Sequence, residues 1–224
     1  MIEILQNRHF GQRAVIVCNG PSLNKMDLSF LKREKTIGLN KIYLGFKKFN
    51  FYSNYYVAVN KKVLEQSHRE INQLTCQKFL SNRCDNLFKN DCLTHILNTK
   101  NPPTRFCKDI AFGLEEGWTV TYAALQVAFY LGFKEIFIIG MDHRFHYNGA
   151  PNAESVMTQS DPNHFSPDYF SKGCKWDNPD LENSERSYEI ARQVYEQNNR
   201  RIFDATVNGN CDIFEKVNYK SVFL

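Results

Sequence analysis

Small polar side chains stand where four strand-like stretches give out: Asn19-Gly20-Pro21-Ser22, Asn40, Asn60 and Asp142-His143. An Asn side chain donates and accepts at once, which suits the edge of a nucleobase or a ribose. Gly20 allows backbone to approach a ligand closely. Ser22, with the start of a following helix, offers donors to a phosphate. Any one of these residues alone is an ordinary turn former. Four polar strand ends together point to a binding rim for a nucleotide. The turn "NGPS" fits neither G-x-G-x-x-G nor G-x-x-x-x-G-K-[ST], which disfavours a Rossmann dehydrogenase and a P-loop kinase.

Proton transfer near neutral pH needs a group matched to it, and imidazole is such a group. His164, in "DPNHFSPDYF", has aromatic neighbours that can exclude water, while His143 follows Asp142 directly. Glu182, shortly before the last long helix, is a third candidate base. Tyr169, Arg144 and Lys172 can steady a leaving phosphate. Asp142, Asp161 and Asp168 offer an alternative chemistry, holding Mg²⁺ between nucleotide phosphates. Asp beside Pro commonly starts a turn, however, and no group has close metal-ligand spacing. The expectation is no obligatory metal.

These residues need a scaffold, and the hydrophobic pattern supplies one. Ala14–Cys18 and Glu135–Gly140 are short, β-branched or aromatic runs that read as buried parallel strands. Phe51–Asn60, Thr36–Asn40 and Arg201–Asp204 read as further strands. Helices are expected over Lys61–Leu74, over Thr119–Leu131 and, capped by Ser184, over Ser184–Asn198. Thr119–Leu131 is apolar nearly all round, so it belongs against the sheet, and Gly132 is a good C′ residue. Strand–helix–strand alternation implies an α/β fold with a parallel sheet covered on both faces. Asn82–Glu116, with Pro102-Pro103 near its middle, resists assignment. So does Asp142–Leu181, whose length without periodic structure suggests a lid-like insertion at residues 142–181. The 224 residues are expected to form one nucleotide-binding domain, 1–224.

Bulk properties narrow the class. A net charge of +4, with 42% hydrophobic and 23% charged residues, is ordinary for a soluble globular chain. Scattered basic residues without a tail or a Lys/Arg–aromatic alternation give no reason to expect nucleic acid as partner. The 7 cysteines form no metal knuckle, and their odd number suits a reducing cytoplasm. No apolar run approaches the ~20 residues of a spanning helix. A cytoplasmic protein is expected, able to rest on the inner membrane through a partner. Its aromatic content of 14% allows a homo-oligomer.

The blocks "VIVCNGPSL" and "TVTYAALQVAFYLGFKEIFIIGMDHRF", with the strand ends Asn40 and Asn60, resemble one superfamily. It contains the bacterial family 42 sialyltransferases and the archaeal 6-hydroxymethylpterin diphosphokinase (MptE-like) group, with flagellin-modifying relatives. The resemblance implies a Rossmann-like, mainly parallel sheet with helices on both faces, the sialyltransferase-like variant of the GT-A fold. It implies that Asn19, Gly20, Pro21, Ser22, Asn40 and Asn60 hold the nucleotide of a CMP-sugar, with Thr119 and Thr121 at the donor. In the family this last site is a T-S-G pattern; here it is Thr119-Val120-Thr121, so the close approach allowed by Gly is replaced by a hydroxyl. The family's "GID" matches Gly140-Met141-Asp142. The family's histidine before the last long helix has no counterpart here, which leaves His164, His143 and Asp142 as catalytic candidates.

The resulting expectation is a sialyltransferase-like glycosyltransferase. It would move a sugar, such as a nonulosonic acid, from a nucleotide-activated donor to a small-molecule or surface-glycan acceptor. One rival is a diphosphokinase using ATP and Mg²⁺, with Phe145, Trp176 or Tyr169 forming a slot for the flat pterin. The other is a non-catalytic nucleotide-binding module.

Overall fold

The computed structural model describes residues 2–89, 91–100 and 105–224; Pro102-Pro103 lies outside them. Its spine is an eight-stranded, wholly parallel sheet in the order β12-β11-β8-β1-β2-β3-β4-β5. In chain order the strands are β1 (Arg13–Val17), β2 (Thr36–Leu39), β3 (Tyr55–Ala58), β4 (Gln77–Ser81), β5 (Thr94–Leu97), β8 (Glu135–Ile139), β11 (Arg201–Asp204) and β12 (Glu215–Lys216). Two small pairs stand apart: parallel β6 (Thr99–Lys100) with β7 (Leu114–Glu115), and antiparallel β9 (Glu154–Val156) with β10 (Lys175–Asp177). From β1 the chain winds outward through β5, then returns to lay β8 against the other side of β1. The winding direction therefore reverses between β1 and β8, with Ile16 opposite Ile138. In open α/β sheets the crevice beyond the strand ends at such a reversal is where ligands bind.

Successive strand residues point to opposite faces, and the core divides accordingly. Ala14, Ile16, Ile37, Leu39, Val57 and Ile138 pack against α3 (Val120–Tyr130) and α4 (Leu181–Gln197). Val15, Val17, Tyr56, Ala58 and Ile139 face the other way, toward α2 (Lys61–Asn72), α5 (Tyr219–Phe223) and parts of segment 142–181. The one-turn helix α1 (Phe46–Phe49) follows β2. α3 is buried from Thr121 to Tyr130, and each of its large apolar side chains contributes about 1.5–3 kcal/mol by burial. Gln126 sits in the middle of that apolar helix, fully buried and fully bonded. Its Oε1 accepts from the backbone N–H groups of Cys107 and Glu115, both at 3.1 Å, and its Nε2 donates to the carbonyls of Glu115 and Tyr122. One side chain thereby anchors part of the irregular segment before α3. The helix stops at Gly132, whose φ of +91° only glycine takes easily.

Three local expectations change. The stretch after "NGPS" is a five-residue 3₁₀ turn, Pro21–Lys25, rather than a helix with a free N-terminus. The cap of α4 is Asp180, not Ser184: Asp180 Oδ1 accepts from Asn183 N–H, and the Ser184 hydroxyl, a turn later, donates to the Asp180 carbonyl. The third strand is only Tyr55–Ala58, because Phe51–Ser53 precede the ladder and Asn60 already caps α2. No helix among the described residues is long and apolar enough to cross a membrane.

Candidate functional site

The largest convergence of polar strand ends lies at the reversal between β1 and β8, in a cavity of about 220 Å³. Asn19 and Gly20 from the end of β1, Asn40 from β2, Asn60 from β3, and Gly140 to His143 from β8 form its floor. Thr119 and Thr121 come from the start of α3, and His164, Tyr169, Phe170 and Trp176 from segment 142–181. Most of the rim residues picked out by type alone therefore meet around one space. Pro21 and Ser22 do not line it.

Ser22 has another occupation. Its backbone N–H and its hydroxyl both go to the Asp142 carboxylate, at 3.1 and 2.6 Å. The two turns that flank the reversal are locked to each other by this contact, so Ser22 has no proton left for a phosphate. Gly20 is needed for the same reason: a Cβ there would collide with the Asp142 carboxylate and the Gly140 carbonyl. Asp142 is thus the clasp of the rim, its Oδ1 accepting from Ser22 N–H and its Oδ2 from the Ser22 hydroxyl.

The asparagines differ in what they leave free. Asn60 Oδ1 caps α2 by accepting from Val63 N–H. Asn19 Nδ2 donates to the Leu39 carbonyl at 3.1 Å, which fixes its carboxamide and leaves its buried Oδ1 without a partner. Asn40 sits in the left-handed region, φ +46°, and its Oδ1 is likewise buried and unpaired. An acceptor without a donor costs free energy in a protein interior, so such atoms are expected where a ligand or water completes them.

Both candidate histidines reach the cavity wall with a carboxylate partner. His164 Nδ1–H donates to Asp161 Oδ2 at 2.7 Å, and its ring lies flat on Tyr169, centroids 3.7 Å apart and planes 3° from parallel. Asp161 Oδ1 accepts from Asn163 N–H, so this carboxylate is held from both sides. With Nδ1 committed, Nε2 of His164 is the nitrogen able to take a proton. The loop is pinned to the rim: Phe165 N–H donates to the Asn19 carbonyl, and Asn24 Nδ2 to the Phe165 carbonyl. The buried Lys41 Nζ donates to the Tyr169 carbonyl at 2.8 Å and lies over the Tyr169 and Phe170 rings. Burial lowers the Lys41 pKa, a cost that this clamp offsets. His143, φ +52°, pairs through Nε2 with Glu185 Oε1 at 2.8 Å.

Other expected groups are less central. Glu182 is exposed and pairs with Arg186 at 2.5 Å on the outside of α4. Lys172 and Asp168 are exposed and do not line the cavity, whereas Arg144, Phe145 and Trp176 do. Of the three aspartates considered for Mg²⁺, Asp142 accepts from Ser22, Asp161 accepts from His164 and Asn163, and Asp168 is exposed. Among the described residues no group of His, Cys, Asp and Glu is arranged to hold a metal ion. Cys18 lines the cavity, but burial pushes its thiol up to about 12, which leaves it unreactive.

Trp118 is a cavity residue that the motifs did not disclose. Its φ of +64° is strained for so bulky a side chain. The adjoining Thr119 is the N-cap of α3, its Oγ1 accepting from Thr121 N–H. The strain places an aromatic ring beside the Thr119 and Thr121 hydroxyls at the cavity, and backbone outliers of this kind gather at binding sites. "GW" ahead of a Thr cap was the available signal.

Comparison with protein families gives a match over residues 1–148 to the family described as 6-hydroxymethylpterin diphosphokinase MptE-like. Comparison with curated proteins gives no match. Among solved structures, the MAf glycosyltransferase from Magnetospirillum magneticum AMB-1 is similar, with a TM-score of 0.60 and 15% identity. The similarity covers 96% of this chain and 35% of that one, so the chain spans about a third of that protein's length. At this identity the likeness is one of fold.

Proposed function

Because the chain belongs to the MptE-like family, we propose that it is a transferase, and that its cavity carries out sialyltransferase-like transfer from a nucleotide sugar. The observation that carries this reading is His164, held by the buried Asp161 and stacked on Tyr169 at the wall of the crevice between β1 and β8. Asn19, Asn40 and Asn60 receive the nucleotide of the donor, a CMP-activated nonulosonic acid being the first to test. The unpaired Oδ1 atoms of Asn19 and Asn40 accept from its hydroxyl or amino groups. Thr119 and Thr121 face the donor from the start of α3, and Trp118 flanks them.

In the reaction, Nε2 of His164 takes the proton of an acceptor hydroxyl. The acceptor oxygen then bonds to the anomeric carbon as the bond to the nucleotide phosphate breaks, its electron pair leaving with the phosphate. Asp161 fixes the ring orientation and stabilises the imidazolium that forms. Arg144, at the cavity wall with its Nη2 on Asn210 Oδ1, would meet the leaving phosphate. Aromatic walls exclude water that would otherwise hydrolyse the donor. The cavity is smaller than the ~300–1,000 Å³ common for ligand pockets. A nucleotide sugar would therefore fill it and extend beyond its mouth.

The family description favours a second reading, pyrophosphoryl transfer from ATP to a pterin hydroxymethyl group. That reaction also begins with a hydroxyl proton and also suits His164. The first reading is favoured because, among the described residues, no three His, Cys, Asp or Glu side chains come together as a metal site. A thermal-shift screen against CMP, CDP, UDP, GDP and ATP, each with Mg²⁺ and with EDTA, separates the two. The expected outcome is a rise in Tm with CMP that EDTA leaves intact. A response to ATP alone, abolished by EDTA, overturns the glycosyl-transfer reading in favour of the diphosphokinase.

A further inference from the structure

A second groove, of about 580 Å³, runs beside the cavity and shares two of its walls, Phe145 and Trp176. Its chemistry differs from that of its neighbours. Among the described residues no Lys, Arg, Asp or Glu lines it; His146, Tyr147, Asn148, Ser155 and Gln159 are typical of its polar surface. A third concavity, beside Asp177, is by contrast crowded with Lys61, Lys62, Arg83, Lys175 and their acidic partners. There Lys62 pairs with Glu154 and Asp177, Lys175 with Glu154, Lys61 with Glu65 and Arg83 with Glu116, so each of these cations already has a carboxylate partner.

This second groove is rigidly built. Asn163 holds the backbone of His146 from both sides, Oδ1 accepting from its N–H at 2.6 Å and Nδ2 donating to its carbonyl at 3.0 Å. That fixes the strip from Phe145 to Tyr147. On the opposite wall Asn178, 2% exposed, donates to the carbonyls of Asn148 and Ala150 and accepts from the Ser155 hydroxyl. Trp176 is braced against Phe170, centroids 5.8 Å apart.

We propose that this groove is the acceptor subsite and that it takes an uncharged carbohydrate chain. The inference rests on the glycosyl-transfer reading above. A sugar offers an apolar C–H face, which packs on aromatic rings, and a ring of hydroxyls, which amides and hydroxyls can both donate to and accept from. A phosphorylated or carboxylated acceptor would call for Arg or Lys, and the groove provides neither. The shared walls carry the end of the chain from the groove into the cavity, where Phe145 stands 6.3 Å from the His164 ring.

The chain's 4 methionines make the test direct, because Met141 lines the cavity and Met157 lines the groove. The protein carrying ¹³C-methyl methionine is titrated with CMP, then with lactose and chitotriose, and with a uronic-acid disaccharide as the charged comparison. The neutral sugars should move the Met157 signal with Kd of about 1 mM, while CMP alone moves Met141 and leaves Met157 in place. Tyr147→Ala should weaken the sugar response by about three- to tenfold, with the Met26 signal unchanged as the check on folding. Gln159→Ala, at an exposed position, should also weaken it. Silence at Met157 with both neutral sugars overturns the proposal, as does a response that both variants leave intact or one that is equal for the uronic-acid disaccharide. If sugars move Met157 while CMP leaves Met141 untouched, the groove stands and the CMP-donor reading falls.

Discussion

Two histidines face one cavity, each with a carboxylate at 2.7–2.8 Å, yet they are built differently. The partner of His164 is three residues away in the same loop, and its side chain is 1% exposed. The partner of His143 is Glu185, on α4, with a side chain 42% exposed. Asp161 is gripped by a backbone N–H as well, whereas Glu185 is free to swing into water. His164 is also clamped flat on Tyr169, whose carbonyl is held by Lys41; His143 meets Tyr188 only obliquely, at 6.2 Å. A base that must keep its geometry through a proton transfer needs a fixed partner. A link between the end of β8 and α4 does not. The difference is the reason the proposed base is His164 rather than His143, whose pair with Glu185 links the end of β8 to α4.

The widest gap is expected from removing the ring itself. His164→Ala should lower turnover about 10²- to 10⁴-fold while nucleotide affinity stays near wild type, read by steady-state kinetics and CMP titration. An equal loss in His143→Ala would erase the distinction. The partners sharpen it further. Asp161→Asn should lower kcat about 10²-fold by mispositioning the ring. Glu185→Gln should cost at most about fivefold, as expected for a pair open to solvent. Next, Lys41→Met removes the clamp under Tyr169 and should lower kcat about tenfold with little change in donor KM; Lys41→Arg, which can still donate to the Tyr169 carbonyl, should restore part of it.

A third histidine gives the smallest effect and a contrast in kind. His9 bonds to Tyr55 Oη and Gln12 Oε1 and stacks on Phe133, with no carboxylate among these partners. Burial first, partly opposed by the Gln12 hydrogen bond, lowers its pKa. The unfolded chain therefore binds a proton before the folded one. The stability it supports is complete above the ordinary histidine value of about 6.5 and is lost as pH falls through the lowered one. Urea midpoints at about pH 5 and about pH 7.5 should differ less in His9→Gln than in wild type.

Much of the scaffold could be read from the sequence. The runs at β1, β2, β8 and β11 and the apolar helix α3 carry their own periodicity, and the polar residues after four strands did gather at one rim. β4 and β5 escaped notice because "QKFLS" and "THIL" are short and half polar. Gly20 and Ser22 were legible as special, but their reason was not: they serve Asp142, some 120 residues away in the chain. The Asp161–His164 pair was within reach, since an Asp three residues before a His in a Pro-bounded turn can fold back on it; reading Asp161 as a metal ligand or turn former hid that. The strain at Trp118 has no sequence period at all.

The most direct test follows CMP released from a CMP-activated nonulosonic acid in EDTA, with lactose as acceptor, for the wild type and His164→Ala. The account predicts release by the wild type that is insensitive to EDTA and lost in His164→Ala, with both proteins binding CMP equally. Release undiminished in His164→Ala would contradict the assigned base. CMP binding with no release by the wild type would leave a nucleotide-binding module in place of the transferase.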